Sequence, residues 1–266
     1  MNVQWYPGHM TKARRMMQEN IKLIDLIIEL VDARAPLSSR NPDIDELGKG
    51  RARLILLNKA DLASEQWNRI WADWFRKQGF YVVKLDSRSR AGMKEIQNVI
   101  REACREKIER DRKRGILNRP VRAMVAGIPN VGKSTFINSF AGKACTKTGN
   151  RPGVTRGAQW IRLAMLGSVN DEILNLQELA GRLGSFLTGH YPGVLEERYK
   201  TAFSGETDMH GVLTRVAEAR GCVTRGAEPD LDRAASFLLD DFRSGRLGKI
   251  TLEFPPEGEY DKGIDE

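Results

Sequence analysis

The segment Gly127-Ile128-Pro129-Asn130-Val131-Gly132-Lys133-Ser134 constrains the fold more than any other stretch of this chain. It has the spacing GxxxxGK[ST]. Its backbone N–H groups can form an anion nest at a helix N-terminus, its lysine can reach β and γ phosphates, and its hydroxyl can ligate Mg²⁺. Such a loop needs a strand before it and a helix after it. The flanks supply both, as the apolar run Val121–Ala126 and the helical stretch Thr135–Phe140. Gly127, Asn130, Val131, Gly132, Lys133, Ser134 and Thr135 are therefore candidate nucleotide ligands, with Ser134 the candidate Mg²⁺ ligand.

Three further apolar runs end in polar or glycine-containing loops: Ile24–Val31 into DARAP, Arg53–Leu57 into NKAD, and Phe80–Leu85 into DSRSRAG. Helix-like stretches, Glu65–Gln78 and Gly92–Arg114, separate them, so the grammar is βαβ with a parallel sheet. Alternation in Gly157–Leu163 predicts a fifth strand. From about Asp171 the spacing turns helical, as in Ile173, Leu176, Leu179, Ala180, Leu183 and Leu187, and Pro229 reads as the start of another amphipathic helix ending near Gly245. The expected organisation is an α/β domain over residues 1–168 and a small all-α domain over 169–266. Trp67, Trp71 and Trp74, at helical spacing, read as packing residues in place of base-stacking ones.

Asn58-Lys59-Ala60-Asp61 chooses among nucleotides. A carboxylate accepts hydrogen bonds only, so Asp61 can take two from the N1–H and N2 amino group of guanine, a donor pair that adenine lacks, while the Lys59 stem can lie over the base. A site built this way discriminates sharply against analogues without the donors. Asp86 and Ser87 follow the next strand and match, more weakly, the loop that backs the base through its backbone. Thr155, in Pro152-Gly153-Val154-Thr155, occupies the place where GTPases close a threonine over Mg²⁺ and the γ-phosphate. The order is unusual, because NKAD and Ser87 precede the phosphate loop instead of following it; the chain is circularly permuted.

With Gln4-Trp5-Tyr6-Pro7-Gly8-His9-Met10, Asp32-Ala33-Arg34, Pro36–Pro42, the stretch Asn150–Leu163, Asp240-Asp241-Phe242-Arg243 and Gly248-Lys249-Ile250-Thr251-Leu252-Glu253, the sequence resembles the circularly permuted ribosome-assembly GTPases of the bacterial ribosome biogenesis GTPase A family over nearly its whole length. The resemblance implies a Ras-like parallel sheet, binding of GTP and GDP, hydrolysis of GTP stimulated by the large ribosomal subunit, and binding to the precursor of that subunit and its rRNA. It implies release as the subunit matures. It also implies a K⁺ ion held at Asn130 and a water-handling role for His9, with Lys133 and Thr155 as the other catalytic candidates.

Charge agrees with a polyanion partner. Residues 1–170 hold 32 basic and 16 acidic residues, whereas residues 171–266 hold 11 and 19, and clustered cations release counterions on meeting phosphates. Lys12, Arg14 and Arg15 are the RNA-contact candidates, followed by the run Arg105–Arg122; solvated helix faces are the plainer reading of such runs. Cys104, Cys145 and Cys222 lack metal-ligand spacing and receive no role. No apolar run spans a bilayer and the first residues do not read as a signal peptide, so a monomeric cytoplasmic protein without a membrane partner is expected.

The family pattern fails at one place. After Arg162-Leu163 a further strand and a DxPG loop should follow, yet the chain passes through Ala164-Met165-Leu166-Gly167-Ser168 directly into the helical region. The expectation is that a segment of some tens of residues has dropped out of the sequence between about Leu163 and Ala164. An authentic deletion is the alternative, and it gives a guanine-nucleotide-regulated RNA-binding scaffold with negligible turnover. A GTPase serving tRNA modification or transport fits the core motifs but not PGHM, DARAP or the C-terminal match.

Overall fold

β1 (Leu26–Asp32) is buried along its whole length, as a parallel strand covered on both faces must be. The computed structural model describes residues 19, 21–117, 119–142, 158–169, 171–203 and 208–256. β1 is flanked by β2 (Ala52–Asn58) and β4 (Ala123–Ala126), with β3 (Tyr81–Leu85) outside β2, in a four-stranded parallel sheet of order β3-β2-β1-β4. All four runs read as strands are strands. Two carboxylates that interrupt the first run are satisfied by cations: Glu29 accepts from Arg53 at 2.9 Å and Arg40 at 3.1 Å, and Asp25 from Lys107 at 2.7 Å. Buried charges persist only with such partners.

The helices of this part are α1 (Asp43–Leu47), α2 (Glu65–Lys77), α3 (Met93–Ala103), α4 (Arg105–Lys113) and α5 (Lys133–Ala141). α2 packs Trp71, Ala72 and Phe75 onto Val31, Ile55, Leu57 and Val82, and Trp67 and Trp74 lean on the same cluster; the three tryptophans pack. The single helix expected over Gly92–Arg114 is instead two. Cys104, with φ −104° and ψ 8°, breaks it, and its thiol is buried close to Asp25 and Lys107, which raises the thiol's pKa chiefly through burial.

The chain divides into two units, Met1–Thr155 with Thr251–Glu266, and Arg156–Ile250. The boundary read at 168 thus falls inside the second unit, and the last stretch returns to the first. The second unit contains α6 (Ala158–Met165), α7 (Leu176–His190), α8 (Val194–Tyr199), α9 (Met209–Arg220) and α10 (Leu231–Arg243). Leu179, Leu183 and Leu187 of α7, Val212 and Val216 of α9, and Leu238, Leu239 and Phe242 of α10 are buried. Asn175, Asp208 and Asp230 cap α7, α9 and α10 by accepting the N–H of the third residue onward at 3.1, 3.0 and 3.0 Å. Pro229 therefore precedes the capping residue and does not open the helix itself. Asp241 is fully buried and accepts from Arg198, Arg246 and Tyr199, which, against the cost of burial, holds its pKa down at about 2.

The fifth strand expected over Gly157–Leu163 is replaced by α6. Ser168 N–H reaches the Leu163 carbonyl at 2.9 Å and Gly167 N–H that of Ala164 at 3.0 Å, with Gly167 at φ +73°, the paired bonds of a Schellman helix end. Arg243 donates to the carbonyls of Ala164 and Met165 at 2.9 and 3.1 Å and so adds side-chain donors to the carbonyls of the last helical turn. Leu163 to Leu166 are consecutively buried where α6 ends. Among the described residues β4 pairs only with β1.

Candidate guanine-nucleotide site

The candidate residues come together because the strands are in register. Asp32 lies opposite Asn58, and Asn58 opposite Leu85, at the carboxyl ends of β1, β2 and β3. β4 stops earlier, with Ala126 opposite Glu29, so the phosphate loop begins beside Leu30 and runs over the same edge of the sheet. Ligands of open parallel sheets bind at this edge.

Two loop glycines are required by their surroundings. Gly127 has φ +146°, and a Cβ there would stand 2.6 Å from the Leu30 carbonyl oxygen; Gly132 has φ +97°, and a Cβ there would strike the Asn58 amide. The loop can therefore lie directly on β1 and on NKAD only without side chains. Asn58 exploits that closeness. Its Nδ2 donates to the Val131 carbonyl at 2.7 Å, and its Oδ1 accepts from the backbone N–H and hydroxyl of Ser87 at 3.2 and 2.8 Å. Ser139 of α5 in turn donates to the Ser87 carbonyl at 3.0 Å. One buried amide thus fastens the phosphate loop, the NKAD strand and the Ser87 loop to each other.

Lys133 Nζ donates to the carbonyls of Gly127 and Ile128 at 2.8 and 2.6 Å, and burial brings its pKa down to about 8. A phosphate would compete with two neutral carbonyls for an ammonium that is short of countercharge. Ser134 and Thr135 follow it in the first turn of α5, and Asn130 has a left-handed backbone at φ +63°. Ala60 and Asp61 form a short 3₁₀ turn after NKAD's left-handed Lys59, and Asp61 is exposed. Asp86 accepts from the Arg88 N–H at 2.9 Å; against partial burial, this bond and those from Ser89 keep its carboxyl below the ordinary range.

The structure adds residues that the motifs alone did not place in the site. Asp32 is fully buried and accepts from Lys59 Nζ at 2.8 Å and from Arg34 Nε and Nη2 at 3.0 and 2.9 Å. Against the cost of burial, the Arg34 guanidinium and the Lys59 ammonium hold this carboxyl far below the usual range. The Lys59 ammonium is thus committed to a carboxylate at its tip while its stem remains the part able to cover a base. Asp32 and Arg34 were visible only as members of DARAP; the register that sets Asp32 opposite Asn58 is what places them at the site. His9, Lys12, Arg14, Arg15 and Thr155 lie outside the described residues, and among the described residues no cluster of His, Cys, Asp or Glu could hold a metal ion.

The parallel sheet, the phosphate loop on its last strand and NKAD on its second define a circularly permuted P-loop GTPase fold. Comparison with known proteins narrows the class. A family model described as a 50S ribosome-binding GTPase matches residues 122–224. Ribosome biogenesis GTPase A of Priestia megaterium is 41% identical over 286 residues, covering 97% of this chain and 99% of the relative, and that of Bacillus cereus is 41% identical, covering 97% and 95%. A crystal structure of GNP-bound YlqF from T. maritima superposes with a TM-score of 0.65 at 22% identity, covering 92% of this chain and 98% of that one. The chain belongs to the ribosome biogenesis GTPase A family. Its alignment with the Priestia protein is longer, at 286 positions, than its own 266 residues, so that relative has positions with no counterpart here.

Proposed function

We propose that the chain binds GTP and GDP and hydrolyses GTP while acting on the precursor of the large ribosomal subunit, from which hydrolysis releases it. The observation that carries this reading is Asn58. Its three bonds join the phosphate loop, NKAD and Ser87 along one edge of the sheet, with the Asp61 carboxylate exposed. The names of the relatives support the ribosomal part, as does the basic first part of the sequence, where Lys12, Arg14 and Arg15 are the proposed rRNA contacts.

In this reading Asp61 selects the base, the backbone of Gly127–Gly132 and Lys133 hold the phosphates, and His9 orients or deprotonates the attacking water. Lys133 moves from the carbonyls of Gly127 and Ile128 to the phosphate oxygens. Mg²⁺ fits the donor set: the Ser134 hydroxyl stands in the first turn of α5, and this hard ion is held in nucleotide sites by few protein oxygens together with phosphates. Ser134 and Thr155 would hold it, Asn130 would hold K⁺, and the cations would supply charge stabilisation at the phosphates.

A second reading is favoured by the lack of a DxPG segment. With β4 paired on one side only among the described residues, the chain would be a nucleotide-regulated RNA-binding scaffold of negligible turnover. GTP hydrolysis in potassium, with and without large ribosomal subunits, separates the two. Subunit-stimulated turnover that drops at least tenfold in His9→Ala with GTP affinity kept supports the first reading, on the scale typical of general base catalysis. Tight GTP binding with no turnover under either condition would establish the second, and unchanged turnover in His9→Ala would remove that residue from the mechanism.

A further inference from the structure

Gly248-Lys249-Ile250-Thr251-Leu252-Glu253 contributes to the family resemblance but has no part in the nucleotide chemistry described so far. Its second half belongs to the first unit, where Thr251, Leu252 and Glu253 are buried. The Trp71 indole N–H donates to the Glu253 carbonyl at 2.9 Å, the Ser64 N–H to Thr251 Oγ1 at 3.2 Å, and the Phe254 ring lies 4.4 Å from that of Trp67. The tail is thus seated on α2 and held in place along its length.

From that seat it reaches the loop after β1. Leu252 N–H donates to the Arg34 carbonyl at 2.7 Å. Glu253 Oε2 accepts the backbone N–H groups of Leu37 and Ser38, both at 2.9 Å, and Oε1 accepts the Ser38 hydroxyl at 2.7 Å. A buried carboxylate taking three donors is a strong fastener. On its inner side the same loop presents Arg34, whose guanidinium grips Asp32 with two bonds, and Asp32 Oδ2 holds Lys59 at 2.8 Å. Lys59 has a left-handed backbone, φ +58°, a conformation that a non-glycine residue keeps only when its surroundings fix it.

We propose that Glu253 is a positioning residue for guanine recognition: it fixes the loop after β1, the loop fixes Asp32 through Arg34, and Asp32 fixes Lys59 beside Asp61. The inference rests on NKAD being the guanine site. It assigns the tail a task at the nucleotide site and makes Glu253, about two hundred residues distant in sequence from the motif, a determinant of guanine-nucleotide affinity.

The test is a double-mutant cycle on the full chain, reading GDP affinity by fluorescence titration and checking each variant for a cooperative unfolding transition. Glu253→Gln keeps the side chain's shape and removes its charge; it should weaken GDP binding on the order of fivefold, the lower end of ordinary coupling between sites. Lys59→Met should weaken it further, and the double variant should bind no more weakly than Lys59→Met alone, because Glu253 acts through Lys59. Should Glu253→Gln fail to fold, Ser38→Ala, which removes a single bond to the carboxylate, takes its place in the same cycle. Additive effects, or an unchanged affinity in the folded Glu253 or Ser38 variant, overturn the inference while leaving the guanine site standing. Failure of the unaltered chain to bind GDP overturns both.

Discussion

Lys133 shows how burial prepares a residue for its ligand. Its pKa is lowered to about 8 from an ordinary value of about 10.4, so the unfolded chain binds more protons than the folded one between these values. This lysine therefore opposes folding below about pH 8, and the penalty is relieved as pH rises through that window. Phosphate reverses the balance, because an adjacent anion favours the charged form. Binding of GDP at pH 8 should accordingly take up a fraction of a proton, and affinity should fall as pH rises above 8. Calorimetry in two buffers of different ionisation enthalpy measures the uptake; identical apparent enthalpies would show that Lys133 is already fully charged. Asn58 makes the complementary point: its amide bonds Val131 and Ser87, so in the proposed reading it acts on binding through the loops it fastens.

At the level of elements, what was legible in the sequence and what was not divide along physical lines. The four strands are buried on both faces or end in motif loops, so apolar runs marked them and NKAD and GIPNVGKS located the working edge of the sheet. The helix α6 was misread because Gln159, Ile161 and Leu163 alternate over too short a stretch to exclude helical spacing, while Gly167, the residue that ends the helix, was the overlooked signal. The break at Cys104 was not legible, since no glycine or proline stands beside it in the sequence. The role of Glu253 was not legible at all, because its partner Ser38 is 215 residues away and only the fold brings them together. In the second unit, the caps are local and testable. Asp230→Ala removes the acceptor for the Arg233 N–H at the start of α10 and should cost about 1 kcal/mol of stability, measured by urea unfolding. A loss within error would mean that water serves the helix end equally well.

Across the whole molecule, the chain runs from the guanine motif to the phosphate loop, then through the helical unit, and returns in a tail that fastens the loop beside the guanine motif. Permutation thus places the helical unit between two stretches that both belong to the nucleotide-binding unit. No DxPG loop follows Arg162-Leu163 in the sequence, and among the described residues β4 has one partner, β1. In the proposed reading base selection does not depend on that missing loop; it depends on Asp61, Lys59 and the framework of Asn58. The most direct test of the account is therefore the affinity of the purified chain for GDP and for ADP, measured side by side in Mg²⁺ and K⁺. The account predicts a GDP preference of about a thousandfold or more, as expected where a site built to hydrogen-bond a ligand's donors meets an analogue that lacks them. Comparable affinities for the two nucleotides would contradict it.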